Sequence, residues 1–228
     1  MLSVLSLGGS IVAPETADPE FLAQFRALVL KYLQEDPSHK LIMVVGGGGP
    51  ARSYQNACKA VTPEASAQSL DWIGIMATRL NAQLVKTIFH DYCPQEVVTD
   101  PSAVELFSGR VLVAAGWKPG FSTDFDAVVL AERFGADKVV NLSNIAKVFT
   151  ADPKLDPSAR PLDDVTWAEF RKIVGDEWVP GKNLPFDPVA TKRAAELGLT
   201  VICAAGRDLD NLDKLLHGQA FNGTTIHK

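Results

Sequence analysis

Short apolar runs alternate with stretches of helical period along this chain. Val4 to Leu7 and Leu41 to Val45 are almost unbroken apolar segments, the pattern of strands buried on both faces. Between them, Phe21, Phe25, Leu28 and Tyr32 recur on one face of a segment running from Asp18 to Leu33. Asp18 can cap that helix and Pro19 suits its first position. A longer helix is predicted from Leu70 to Ile88, with Ile73, Ala77 and Leu80 on one face. Further strands are expected at Val111 to Ala115, Lys138 to Leu142 and Leu199 to Ala204, with a last short one at Gly223 to Ile226. Helices are expected at Thr123 to Phe134, Trp167 to Val174 and Pro188 to Leu197. That order predicts an α/β fold, a buried and largely parallel sheet flanked by helices. The turn-rich segment Thr150 to Pro157 breaks the alternation and is the candidate boundary between two lobes.

Composition narrows the classes. With 228 residues, 46% of them apolar, the chain can bury one substantial core. A net charge of −5 without a run of Lys or Arg argues against a nucleic-acid surface. Any anionic ligand must therefore meet local positive potential. Cys58, Cys93 and Cys203 lack C-x-x-C spacing, and His39, His90, His217 and His227 form no ligand pair, so neither zinc nor a disulfide framework is proposed. The opening Leu2-Ser3-Val4 has no basic flank, and no later apolar stretch is long enough for a bilayer. A cytoplasmic protein without a membrane partner is expected.

Candidate chemistry gathers where strands end in glycine. Leu7-Gly8-Gly9-Ser10 follows the first strand, and Gly46-Gly47-Gly48-Gly49 follows the second, with Pro50-Ala51-Arg52 opening a helix. Glycine lets backbone N–H groups approach an anion, and a helix N-terminus adds partial positive charge. Neither cluster is a Walker A loop or a dinucleotide fingerprint. A third glycine-bearing loop, Ala115 to Asp124, again lies between an apolar strand and a helix. Loops at one edge of a parallel sheet converge on one crevice, so three of them point to a phosphate site; read singly, each is a tight turn. Asp124 and Asp187 can each be a helix cap or a working carboxylate. Arg52 is either a solvated arginine or a group that neutralises a transferring phosphoryl. Asp71 can accept hydrogen bonds from ribose hydroxyls.

These residues together resemble the archaeal-type uridylate kinases of the amino acid kinase superfamily. The likeness is carried by Leu7-Gly8-Gly9-Ser10, Val44-Val45-Gly46-Gly47-Gly48, Asp71-x-Ile73-Gly74-Ile75, Thr78-Arg79-x-Asn81-Ala82, Pro119-Gly120-x-Ser122-Thr123-Asp124 and Thr150-Ala151-Asp152-Pro153-Lys154. It implies a three-layer α-β-α sandwich forming one domain over residues 1–228, with an acceptor lobe to about 136 and an ATP lobe from about 137. It implies transfer of the γ-phosphoryl group from ATP, with Mg²⁺ bridging its phosphates, to UMP, in a hexamer. Gly9, Ser10, Gly48 and Arg52 would hold ATP phosphates; Ser143, Asn144, Phe149 and Asp152 would hold its nucleoside. Gly47, Asp71 and the loop Trp117, Lys118, Pro119, Gly120, Phe121, Ser122 and Thr123 would hold UMP. Asp124, Arg52 and Asp187 would be catalytic, with no metal held by protein ligands alone. Two departures stand out. Ser143-Asn144-Ile145-Ala146-Lys147-Val148-Phe149 replaces the family's Thr-Asn-Val-Asp-Gly-Val-Tyr, and Gly49 stands where relatives commonly carry lysine, for which Lys118 and Lys182 are the candidate substitutes. A kinase for another small phosphate or carboxylate, or a binding protein on the same fold, are the competing readings.

Overall fold

The computed structural model describes residues 2–175 and 184–228. The chain runs β1 (Leu2–Leu7), the single turn α1 (Gly9–Val12), α2 (Pro19–Glu35), β2 (Lys40–Val45), α3 (Gly48–Val61), α4 (Ala67–Ile88) and β3 (Val111–Ala114). It continues through α5 (Thr123–Phe134), β4 (Lys138–Ser143), β5 (Val148–Phe149), β6 (Pro161–Leu162), β7 (Asp164–Thr166) and α6 (Trp167–Val174). The last elements are α7 (Pro188–Leu197), β8 (Thr200–Ala205), α8 (Leu209–Leu216) and β9 (Thr224–His227).

The main sheet has the order β3-β2-β1-β4-β8-β9-β7. All its pairings are parallel except that of β8 with β9. Alternate residues of each strand point to opposite faces, so each face builds its own core. Leu5, Leu7, Met43 and Val140 pack with α2, α4 and α8. Val4, Ile42, Val139 and Val201 pack on the other side with α5, α6 and α7. The result is the expected three-layer sandwich, and the near-continuous apolar composition of the inner strands follows from burial on both faces.

The predicted helices at Thr123, Trp167 and Pro188 have the bounds read from the sequence, because each start carries its cap. Ser122 accepts from the Phe125 N–H at 3.2 Å, Thr166 forms a capping box with Glu169, and Asp187 accepts from the Ala190 N–H at 2.7 Å. Helix α4 starts three residues before the expected Leu70, since Ser66 caps it. Its buried face matches the expected one only in part: Ala77 is buried and Ile73 half-buried, but Leu80 is 69% exposed, and Ile75, Thr78, Ala82 and Val85 complete the inward side. Apolar residues lie on every side of this helix, which leaves its periodicity ambiguous. The segment Thr150 to Pro157 forms the tip between β5 and β6, which pair antiparallel.

Candidate active site

Register brings the glycine loops together. Leu7 pairs with Val45 on one side and with Leu142 on the other, so Gly8, Gly46 and Ser143 leave the sheet at one edge. The Gly8 N–H donates to the Leu142 carbonyl at 2.9 Å, and the Gly46 N–H to the Leu7 carbonyl at 3.0 Å. The first two loops then touch backbone to backbone: a Cβ on Gly9 would lie 2.0 Å from the Gly48 nitrogen. Gly48 has φ +64 and opens α3. Its conformation and its neighbours both demand glycine. From below, the Asn81 side-chain amide donates to the Gly46 carbonyl at 2.9 Å and to that of Gly47 at 3.1 Å.

A cavity of about 260 Å³ opens beside these loops. Gly47, Gly48, Asp71, Thr78, Gly116, Phe121, Ser122 and Thr123 border it, with Gln55 and Gly74. Five of the residues expected around UMP therefore share one hollow. Gly120 joins them through its N–H, which donates to Asp71 Oδ2 at 3.1 Å. Trp117, Lys118 and Pro119 stand outside the lining, and the Lys118 ammonium lies 3.7 Å from the centre of the Trp117 ring. A larger hollow of about 320 Å³ between α2 and α4 is walled mainly by apolar side chains such as Leu22, Ala23, Leu84 and Ile88, and it lies away from the glycine edge.

Asp124 does not cap α5, because Ser122 does. Its carboxylate instead accepts from the Ser6 hydroxyl of β1 at 2.8 Å and from the Asp187 N–H at 3.3 Å. Asp187 itself caps α7, so both carboxylates meet where two helices begin. Shielding from water pushes the Asp124 carboxyl up to about 6, opposed by the Ser6 bond and reinforced by the charge of Asp187. Burial likewise raises Asp187.

Arg52 is exposed and donates to the Pro14 carbonyl at 3.0 Å. Ser10 lies in the turn of α1, and Ser143 ends β4 with Asn144 following it at the same sheet edge. Phe149 and Asp152 belong to the β5–β6 hairpin, where Asp152 accepts from the Lys154 N–H at 2.9 Å. Lys147, one of the departures, is paired with Asp163. Lys182 lies outside the described residues.

Four residues gained no role from the sequence. Ser6, Thr78 and Asn81 are all nearly or fully buried. A serine inside an apolar strand, and a threonine and asparagine three apart on the inner face of a helix, were the available signals. The fourth is Asp126, whose Oδ2 accepts from the Trp117 N–H at 3.2 Å.

The amino acid kinase family profile matches residues 1–205. A uridylate kinase of Methanospirillum hungatei is 36% identical, over 98% of this chain and 93% of its own length. That of Methanosarcina barkeri is 37% identical, over 99% and 96%. The crystal structure of uridylate kinase from Archaeoglobus fulgidus superposes with a TM-score of 0.84 at 33% identity, covering 99% of this chain and 100% of that one. A likeness carried along the whole sheet and both helical layers places the chain in the amino acid kinase family, among its archaeal-type uridylate kinases.

Proposed function

We propose that the crevice at the glycine edge transfers the γ-phosphoryl group of ATP to the phosphate of UMP. The chain is a kinase that acts on UMP, as its family is. What supports this site for the chemistry is one juncture: the loops after β1 and β2 touch there, and α5 presents Asp124 to Ser6 at 2.8 Å.

UMP occupies the 260 Å³ cavity against Gly47, Asp71 and the loop from Trp117 to Thr123. Gly9, Ser10, Gly48 and Arg52 hold the ATP phosphates, and Ser143, Asn144, Phe149 and Asp152 the nucleoside. The acceptor lobe runs to about residue 136 and the donor lobe follows it. Phosphoryl transfer needs alignment and charge neutralisation more than a protein nucleophile. Backbone N–H groups of the loops and the N-terminus of α3 offer positive potential to the phosphates. Arg52 offsets charge that develops in transfer.

Family membership implies Mg²⁺ with ATP, and the residues suit it. Asp124, with Asp187 beside it, offers hard carboxylate oxygens, and its raised pKa records a charge that a cation would relieve. Asp124 would orient the ion, which when bound would supply neutralisation of phosphate charge. Homo-oligomers, hexamers by resemblance, fit the apolar outer face of α3 and α4. Among the described residues no helix is long and apolar enough to cross a membrane.

The test is ADP release from ATP and Mg²⁺ with UMP, CMP, dUMP, acetylglutamate or carbamate as acceptor. UMP-dependent turnover is expected, and Asp124→Asn should lower kcat by roughly 100-fold or more. Turnover on a different acceptor, or nucleotide binding without any turnover, defeats the proposal.

A further inference from the structure

The backbone from Gly116 to Gly120, which connects Gly116 and Phe121 in the wall of the acceptor cavity, is held by four side chains from two helices. Thr78 Oγ1 accepts from the Gly116 N–H at 2.8 Å, and Asp126 Oδ2 from the Trp117 N–H at 3.2 Å. Arg79 donates to the Trp117 carbonyl at 3.1 Å, and Asp71 accepts from the Gly120 N–H at 3.1 Å. Asp126 is the odd member of this set. It is 0% exposed, caps nothing, and its Oδ1 has no hydrogen-bond partner among the described residues. A buried carboxylate with one oxygen unused costs stability, and an apolar side chain would suit the same space better. The bond its other oxygen makes is to the loop.

We propose that Asp126 is a positioning residue for the acceptor: its carboxylate fixes the Trp117 backbone, and with it the course of the loop between Gly116 and Phe121 against which UMP lies. This rests on the reading that the cavity takes UMP.

Asp126→Ala and Asp126→Asn in the full chain decide this. The alanine variant should raise the KM for UMP roughly tenfold while kcat and the KM for ATP stay within about twofold. The asparagine variant keeps an oxygen for the Trp117 N–H and should hold the KM for UMP within about threefold of wild type. Deuterium exchange in ligand-free protein should be faster over residues 116–122 in the alanine variant alone. Unchanged exchange and unchanged KM in a folded alanine variant overturn the proposal, as does an asparagine variant whose KM for UMP rises as far as that of alanine. If the alanine variant does not fold, Asp126→Leu, which fills the space without an acceptor oxygen, takes its place. Absence of UMP turnover in wild type would instead defeat the functional reading, leaving loop exchange to judge Asp126.

Discussion

Three carboxyl groups, Asp124, Asp126 and Asp187, crowd the starts of α5 and α7, and all three have raised pKa values. An unfolded carboxyl releases its proton near pH 4, whereas these hold theirs to about 6 and 7 for Asp124 and Asp126. Between those limits the native state binds more protons than the unfolded one, so stability falls as pH rises. The ligand-free protein should therefore melt at a lower temperature at pH 8 than at pH 5. Asp126→Asn should recover roughly 2 kcal/mol at pH 8, about 4–8 °C in Tm, and flatten the decline. Scanning calorimetry across that range checks it, and a steeper decline in the variant would contradict this origin of the pH dependence. Asp124 and Asp187 were legible in the sequence because each stands at the head of a helix, one at the end of a glycine-bearing loop and the other just before a proline. Asp126 was not, since an acid in the first turn of a helix ordinarily faces solvent and complements the dipole. Its burial comes from the packing of α5 against β1 and β2, which no local pattern announces.

The glycine edge works as a contact between loops. Gly48 combines φ +64 with two close carbonyl oxygens: a Cβ there would lie 2.3 Å from that of Gly9 and 2.4 Å from that of Ala13. Gly48→Ala is expected to cost about 1–3 kcal/mol from backbone strain alone and more from the displaced loops. Chemical denaturation measures the first part, and ATP affinity should fall with it. A variant with wild-type stability and affinity would mean that the two loops do not depend on this contact. Elements with strong periodicity or an unmistakable cap were readable: β1, β2, α2, α5, α6 and α7. The three short strands β5, β6 and β7 span two or three residues each, too few for alternation to register. Helix α8 was legible but went unread, with Asp208 as cap and Leu209, Leu212, Leu215 and Leu216 on one side.

For the molecule as a whole, the outer face of α3 and α4 is its least finished surface. Trp72, Met76 and Leu80 recur every fourth residue along α4, exposed by 42%, 57% and 69%, and Tyr54 and Val61 of α3 are exposed as well. Apolar side chains exposed in a row along one helix suit a second copy of the chain. Leu80→Glu should shift the protein to smaller assemblies in light scattering at micromolar concentration, while a monomer of either sequence would mean that this face joins no second copy. At the opposite end of the sheet, β9 lies between β8 and β7, antiparallel to one and parallel to the other. Its Thr224 also bonds the Val148 N–H of β5 and the Leu162 carbonyl of β6. During biosynthesis that slot stays vacant until residues 224–227 leave the ribosome. The strands before β8 can organise early, but β8 and β7 wait with open edges, the kind of surface that chaperones shield. Removing residues 224–227 would thus take an interior strand out of the sheet and leave β8 and β7 without the neighbour they share.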